Sequence, residues 1–186
     1  MEIVEPIRSK QKIFEMKKNL SEKSQRDYFL FVIGINTGLR ISDILNLKIE
    51  DIKDKDFIRI REKKTGKEKL ISINNNLKEE IAKYIKDKKE SDFLFQSKAF
   101  NNKTVNKPLS RISAYRILNQ SAKEIGLQIP IGTHTLRKTF GYHFYQNTKD
   151  IALLQEIFNH SSASITLKYI GINQDMISKA YDNFSL

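Results

Sequence analysis

Two side chains that are able to bind an anion, His134 and Arg137, stand three residues apart in a segment with helical spacing. Residues at this spacing share one face of a helix, so both side chains are able to reach the same anion. His143 lies nine residues from His134, which is about 180° around a helix. A metal site shared by these two histidines is therefore not expected. Taken alone, the His134 and Arg137 pair fits an ordinary surface or capping contact better than a site.

Four short segments with charged, histidine or tyrosine side chains follow one another along the chain. They are residues 37–47 (TGLRISDILNL), 133–140 (THTLRKTF), 154–162 (LQEIFNHSS) and 165–169 (ITLKY). In order and spacing they resemble the first-arginine segment, the His-x-x-Arg box, the Leu-Gly-His-Ser-Ser box and the nucleophile segment of the tyrosine recombinase (phage integrase) family. One such segment is a weak signal, whereas four in order are a strong one. The resemblance covers roughly residues 10–182.

The resemblance implies phosphoryl transfer in which a tyrosine attacks the scissile phosphate of DNA. It assigns six catalytic positions, which are Arg40, Lys64, His134, Arg137, His160 and Tyr169. Two guanidinium groups are able to neutralise a phosphate bidentately without a metal ion, and Arg40 and Arg137 are expected to form that clamp. Tyr169 is expected to form a 3′-phosphotyrosine, which stores the bond energy for rejoining. No cofactor, metal ion or ATP is therefore expected.

The same resemblance assigns proton transfer to the lysine and histidine positions. The family carries a lysine on a hairpin as general acid for the leaving 5′-oxygen, and Lys64 is the best match. Lys63, Lys67 and Lys69 are near enough in the sequence to compete with it. A lysine at a hairpin tip is otherwise an ordinary solvated residue.

The two histidines and an aspartate complete the expected site. His134 is expected to assist proton transfer or to bind a phosphate oxygen, and His160 to donate a hydrogen bond to the same phosphate. Asp43, three residues after Arg40, is able to hold the guanidinium or a histidine in place. An aspartate there is equally often a charge that stabilises a helix start.

Two positions depart from the family pattern. Asn159 replaces the glycine that commonly precedes the second histidine, and asparagine is still able to adopt a left-handed conformation. Asp43 replaces the more usual glutamate, which shortens the reach of the carboxylate by one methylene. Every catalytic position is filled, so the sequence predicts an active enzyme.

The resemblance implies a site-specific DNA recombinase that cleaves and rejoins double-stranded DNA. Two alternatives stay open, a catalytically silent DNA-binding accessory protein of the same fold and an activity like that of type IB topoisomerases. The sequence does not distinguish integration, excision, inversion and resolution.

The elements that must position these residues are mainly helical. Helical spacing or capping predicts helices near residues 9–19, 24–37, 40–47, 77–88, 110–125, 133–147, 150–159, 162–169 and 174–183. Residues 57–61 and 69–73 alternate at period two on either side of Thr65-Gly66, which predicts a β-hairpin with a lysine-rich tip. Residues 92–96 read as a short extended piece. The fold class is thus mainly α with one small antiparallel sheet.

Length and charge agree with a DNA-acting domain. The chain has 186 residues, a formal net charge of +11 and no cysteine, which excludes disulfides and thiolate zinc sites. One catalytic domain over residues 1–186 is expected, without the N-terminal core-binding domain of longer relatives, as in the fimbrial phase-switch recombinases. Neither a signal peptide nor a membrane span is visible, so a cytoplasmic protein is expected.

A helix starting at Ser110 is the best candidate for the DNA groove. Its Arg111, Ser113 and Arg116 are expected to contact DNA, with Lys138 as a further contact to the backbone. The residues expected to pack inward are Ile112, Tyr115 and Leu118.

The C-terminal segment, residues 175–184, has an amphipathic pattern with Met176, Ile177, Ala180 and Phe184 on one stripe. By resemblance it docks on a neighbouring subunit in a tetramer on DNA, and its rival is packing on its own domain. A monomer is expected in free solution.

Overall fold

The computed structural model describes residues 4–61, 66, 68–98, 104–172, 181–182 and 184. Helices dominate these residues, as predicted. The helices are α1 (Lys10–Lys23), α2 (Gln25–Thr37), α3 (Ile41–Leu45), α4 (Asn75–Ile85), α5 (Arg111–Glu124), α6 (Thr135–Thr148), α7 (Ile151–Phe158) and α8 (Ala163–Ile170). The strands are β1 (Phe57–Arg61), β2 (Glu68–Ser72), β3 (Gln96–Lys98) and β4 (Thr104–Pro108). The predicted helix over 174–183 and the tip residue Lys64 lie outside the described residues.

Side-chain caps explain where several helices begin. The hydroxyls of Ser9, Ser24 and Ser110 each accept a hydrogen bond from a backbone N–H in the first turn of the helix that follows. Such bonds satisfy donors that have no partner within the helix. Helix α2 ends where Gly38 adopts φ +62°, the left-handed conformation that glycine adopts at low cost. This turn allows α3 to begin three residues later.

The hydrophobic core has two parts. The larger part surrounds α2, whose residues 29–33 are all buried, and α1, α4 and α6 pack against this helix. The smaller part lies where α6, α7 and α8 meet and contains Leu154, Phe158, Ile170 and Ile172. Helix α6 therefore connects the two parts.

Two small antiparallel sheets flank the helices. Strands β1 and β2 pair from Phe57 with Ser72 to Arg61 with Glu68, which confirms the predicted hairpin. Strands β3 and β4 form a second sheet that the sequence did not predict. Strand β4 is polar and ends in Pro108, so its sequence carries little of the apolar alternation that marks a strand.

Some expected core residues are exposed instead. Ile112 and Tyr115 are 64% and 48% exposed, whereas Leu118 is buried as predicted. The buried face of α5 consists of Ala114, Leu118, Ser121 and Ala122. Small side chains let this helix approach its neighbours closely, and Ile112 and Tyr115 lie outside the buried face.

Two general findings apply to the described part of the chain. None of its helices is long and apolar enough to cross a membrane. No group of three or more histidine, aspartate or glutamate side chains within it is arranged to hold a metal ion.

The close approach of α6 to α7 and α8 requires a glycine at position 141. A Cβ there would lie 2.7 Å from both Ile170 and Phe158, which are fully buried and have no room to move. Gly141→Ala is expected to lower the free energy of unfolding by about 1–2 kcal/mol, although alanine is the better helix former. Chemical denaturation measures this change. Asn147→Ala, at an exposed position of α6, is the control, and equal stability of both variants would contradict the packing argument.

Candidate active site

The guanidinium of Arg137 lies at the centre of the predicted site and is only 3% exposed. Its Nη1 donates to the carbonyl of Gly38 at 2.6 Å, and its Nη2 donates to the carbonyl of Phe158 at 2.9 Å. These carbonyls stand at the C-terminal ends of α2 and α7, where the helix dipole favours a cation. The Phe158 ring also packs 4.1 Å from the guanidinium carbon. These contacts join the segment of Arg137 to two of the other three motif segments.

The hydroxyl of Tyr169 faces His134 and Arg137. The distance from Tyr169 Oη to His134 Nδ1 is 3.2 Å, and Arg137 also forms a hydrogen bond with the tyrosine. Because a guanidinium only donates, the phenol oxygen accepts from Arg137 and its proton is available to Nδ1. Burial raises the pKa of the Tyr169 hydroxyl, while the charges of Arg137 and Arg40 lower it and leave a net rise. The phenol is therefore protonated at neutral pH.

His160 stands beside the same tyrosine, with ring centroids 5.2 Å apart. Its Nδ1 lies 3.1 Å from the hydroxyl of Thr166, which itself donates to the carbonyl of Ser162 at 3.1 Å. Since that hydroxyl has a single proton, Nδ1 of His160 is the donor and Nε2 carries no hydrogen. Burial and the nearby cations, first Arg137, lower the pKa of His160 to about 4. The ring is thus neutral at pH 7.

Arg40 and Asp43 lie at the start of α3. Arg40 is the residue that precedes the helix, and its charge lowers the pKa of both His160 and Tyr169, which places it in the same cluster. Asp43 is only 7% exposed, and its backbone N–H donates to the Arg40 carbonyl at 2.9 Å. The structure thus brings together all the predicted catalytic residues that it describes.

Lys138 is not a surface residue, and the prediction of a contact with the DNA backbone does not match its position. Its side chain is 8% exposed, and Nζ lies 5.2 Å from the centre of the Tyr169 ring. Lys138 follows the buried Arg137 on α6, and both side chains are turned towards the interior. The sequence alone does not reveal this burial. The other three predicted DNA contacts lie on α5, where Arg111 and Arg116 are exposed and Ser113 is half-buried.

Two residues of the site carry roles that the motifs do not indicate. Phe158 supplies both a carbonyl and a ring to Arg137, and Thr166 orients His160. Both lie inside the motif segments, two residues before His160 and three before Tyr169. Their closeness in the sequence to His160 and Tyr169 was the one signal that could have pointed to them. Neither phenylalanine nor threonine is a residue type that by itself suggests a contact with an arginine or a histidine. Asn159, between Phe158 and His160, has φ +52° and so adopts the predicted left-handed conformation.

The sequence profile of the phage integrase family matches residues 9–176. The chain belongs to the phage integrase family. YoeC of Bacillus subtilis (strain 168), a probable integrase/recombinase, is 56% identical over 184 residues, which are 99% of this chain and 98% of YoeC. Tyrosine recombinase XerA of Pyrococcus horikoshii is 32% identical over 175 residues, 92% of this chain and 60% of XerA. Because its relatives are an integrase/recombinase and a tyrosine recombinase, the chain is assigned as a tyrosine-type site-specific recombinase.

Solved structures agree with this phage integrase family assignment at the level of the fold. The crystal structure of XerA recombinase matches with a TM-score of 0.73 and 22% identity, over 98% of this chain and 65% of that one. The post-cleavage complex of XerH with its palindromic difH substrate matches with a TM-score of 0.74 and 20% identity, over 98% and 54%. The chain therefore has the tyrosine recombinase catalytic-domain fold, and it spans less than two thirds of each of these longer proteins.

The electrostatics of the site predict how His160 titrates. An NMR titration is expected to give a midpoint near 4 for its ring, and Arg40→Gln is expected to raise that midpoint because it removes a nearby cation. The neutral ring contributes its full stability above about pH 6.5, the value in unfolded chains, and loses it as the pH falls towards the folded value. An unchanged midpoint in Arg40→Gln would contradict the conclusion that the charge of Arg40 acts on the His160 ring.

Proposed function

We propose that this recombinase cleaves and rejoins double-stranded DNA through a covalent 3′-phosphotyrosine at Tyr169. The observation that supports this most directly is the position of the Tyr169 hydroxyl, which is hydrogen-bonded to both Arg137 and His134. A nucleophile, a phosphate-binding cation and a proton acceptor thus stand within one hydrogen-bonded group. The solved XerH relative in complex with its difH substrate after cleavage gives the proposal a precedent on the same fold.

The proposed reaction is an in-line displacement at phosphorus. Tyr169 Oη attacks the scissile phosphate, a P–O bond to the 5′-oxygen breaks, and the phenol proton passes to His134 Nδ1, which lies 3.2 Å away. Arg40 and Arg137 stabilise the charge on the nonbridging oxygens. In the reverse step the free 5′-hydroxyl attacks the phosphotyrosine, so the phosphodiester is restored without ATP.

His160 changes its protonation state in this proposal. In the ligand-free protein its Nε2 is an acceptor, because Nδ1 holds the only ring proton. Burial is the largest cause of the lowered pKa of His160, and the charges of Arg137 and Arg40 add to it. A phosphate placed between these two arginines offsets the contribution of the charges and so raises the pKa. The ring then takes up a proton, and Nε2 becomes a donor to the phosphate. Binding of the scissile phosphate is thus coupled to proton uptake.

Two further residues complete the proposed mechanism. Lys64 protonates the leaving 5′-oxygen as general acid. Asp43, buried one turn after Arg40, keeps the start of α3 in place and thereby orients the Arg40 guanidinium. The proposed chemistry needs no metal ion, since two guanidinium groups carry the charge that a metal would otherwise offset.

The exposed face of α5 is the proposed contact with the DNA groove. Arg111 and Arg116 flank the exposed side chains of Ile112 and Tyr115 on this face. Guanidinium groups bind phosphates and guanine edges, while exposed apolar groups pack against sugars and thymine methyls. Ser113 adds a hydroxyl that already pairs with Ser110 at 2.9 Å.

We further propose a monomer in free solution that forms a tetramer on DNA through the C-terminal segment.

A covalent adduct on a nicked suicide substrate tests the nucleophile. Wild-type protein incubated with DNA from its own genomic flanks is expected to give an adduct on a denaturing gel, and Tyr169→Phe is expected to give none while still binding DNA. Tyr145→Phe, which removes the hydroxyl of a half-buried tyrosine on α6, is the matched control and is expected to behave as wild type.

Each other outcome of this experiment is informative. An adduct that persists in Tyr169→Phe would reject Tyr169 as nucleophile. Loss of the adduct in the presence of a chelator would reject the metal-independent mechanism. Relaxation of supercoiled plasmids that lack any specific site would favour the activity of a type IB topoisomerase instead.

The role of α5 predicts a defined loss of DNA affinity. Arg116→Ala is expected to weaken binding about three- to tenfold and to reduce the slope of log K against log salt by about one, if it contacts a phosphate. Lys123→Ala removes the same charge from the last turn of the same helix and is expected to have a smaller effect. Equal losses in fluorescence anisotropy titrations of the two variants would show a general charge effect and contradict the α5 interface.

A further inference from the structure

Residues 4–8 form a strap that crosses α6 and reaches the end of α8. Ile7 is 1% exposed, and its backbone N–H donates to the buried hydroxyl of Thr139 at 2.9 Å. Its carbonyl accepts from His143 Nε2 at 2.9 Å. Glu5 N–H donates to the carbonyl of Pro130 at 3.0 Å. These bonds fix the strap to the helix that carries Arg137.

The charged residues of the strap contact the helix that carries Tyr169. Arg8 and Glu5 form an ion pair at 2.8 Å. A Cβ added at Gly171, the residue that ends α8, would lie 2.6 Å from Arg8 Nη2 and 3.7 Å from Glu5 Oε2. The pair is therefore packed against the backbone two residues after Tyr169. A guanidinium at this end of α8 also matches the negative end of the helix dipole.

Lys138 lies between the strap and the tyrosine ring along α6, since the next residue, Thr139, accepts the hydrogen bond from Ile7. Its nearly buried ammonium lies 5.2 Å from the centre of the Tyr169 ring, an arrangement in which a cation attracts the face of the ring. Burial lowers the pKa of Lys138, the Glu5 carboxylate acts against this effect, and Arg8 adds a smaller lowering contribution. Glu5 therefore stabilises the charged form of a lysine that is otherwise costly to bury.

We propose that Lys138 is a positioning residue that fixes the ring of Tyr169, and that the strap maintains it through Glu5. This proposal rests on the proposed nucleophilic role of Tyr169. Attack on phosphorus requires the phenol oxygen to stand in line with the leaving oxygen, so a loosened ring lowers the rate without changing the affinity for DNA. In this proposal Lys138 acts through the ring, because its side chain is nearly buried and stands beside that ring.

Single-turnover cleavage of a saturating suicide substrate tests this role. Lys138→Met keeps the length of the side chain but removes the charge, and it is expected to lower the rate constant about five- to thirtyfold. The final amount of adduct and the dissociation constant for DNA are expected to stay within about twofold of wild type. Lys138→Arg retains a cation above the ring and is expected to recover most of the rate.

Glu5→Gln tests the strap from its other end. It is expected to lower the rate constant about two- to fivefold, while its added net positive charge leaves DNA binding equal or tighter. The control is Glu90→Gln, which removes one partner of the exposed ion pair between Lys53 and Glu90 and is expected to leave the rate unchanged.

The outcomes separate this inference from its alternatives. A wild-type rate in Lys138→Met would overturn it, and so would a loss explained by weaker DNA binding, which would restore Lys138 as a DNA contact. A reduced amount of adduct with a lower melting temperature would overturn it in favour of a folding role.

A second measurement does not depend on activity. In protein with 13C-labelled tyrosine, the Tyr169 resonance, assigned by its absence in Tyr169→Phe, is expected to shift in both Lys138→Met and Glu5→Gln. An unchanged resonance in both variants would overturn the inference. Failure of wild-type protein to form any adduct would reject the proposed function alone, because the NMR result decides the inference separately.

Discussion

The buried guanidinium of Arg137 is the constraint on which the rest of the site depends. A charge that is removed from water requires hydrogen-bond partners, and here the carbonyls of Gly38 and Phe158 accept two of the five donors of the guanidinium. Both carbonyls stand at helix ends, and each is offered by a left-handed turn that follows the helix, at Gly38 itself and at Asn159. Arg137 therefore links the two turns to α6 and to Tyr169. A change in any one of these features alters the position of the others.

Positive charge is concentrated in this site before any substrate arrives. After burial, the charges of Arg137, Arg40 and Lys69 are the causes that lower the pKa of His160, so all three cations act on the same ring. Lys69 reaches this point because its ammonium donates to the carbonyl of Ile157 at the end of α7. The repulsion among these groups is a cost in the free protein, and an anion at the centre removes it. In the proposed mechanism, the arrangement that keeps the His160 ring neutral is thus also the one that binds the scissile phosphate.

The clustering of the motif residues was more predictable from the sequence than the packing around them. Gly38 and Asn159 were predictable because few residue types tolerate a positive φ, and the clustering was predictable because the four motif segments together resemble one family. Burial was less predictable, since it depends on neighbours that are distant in the sequence. Lys138 is buried, and the charges that act on it, Glu5 and Arg8, are distant in the sequence. Ile112 is exposed because small residues face the core on α5. Strands β3 and β4 were missed because short polar strands lack a clear period.

The division of the core into two parts affects what happens when the protein opens transiently. Helices α7 and α8 are held by the smaller cluster, which has four buried members in the described part of the chain, while α2 and α3 belong to the larger one. Regions with less buried apolar surface open at a lower free energy than the whole domain. An opening of the smaller cluster would withdraw Tyr169 and His160 together and leave Arg40 in place. Under the proposed mechanism, such a molecule keeps part of the charge that attracts DNA but lacks the nucleophile, so thermal fluctuation would produce inactive complexes rather than unrepaired breaks.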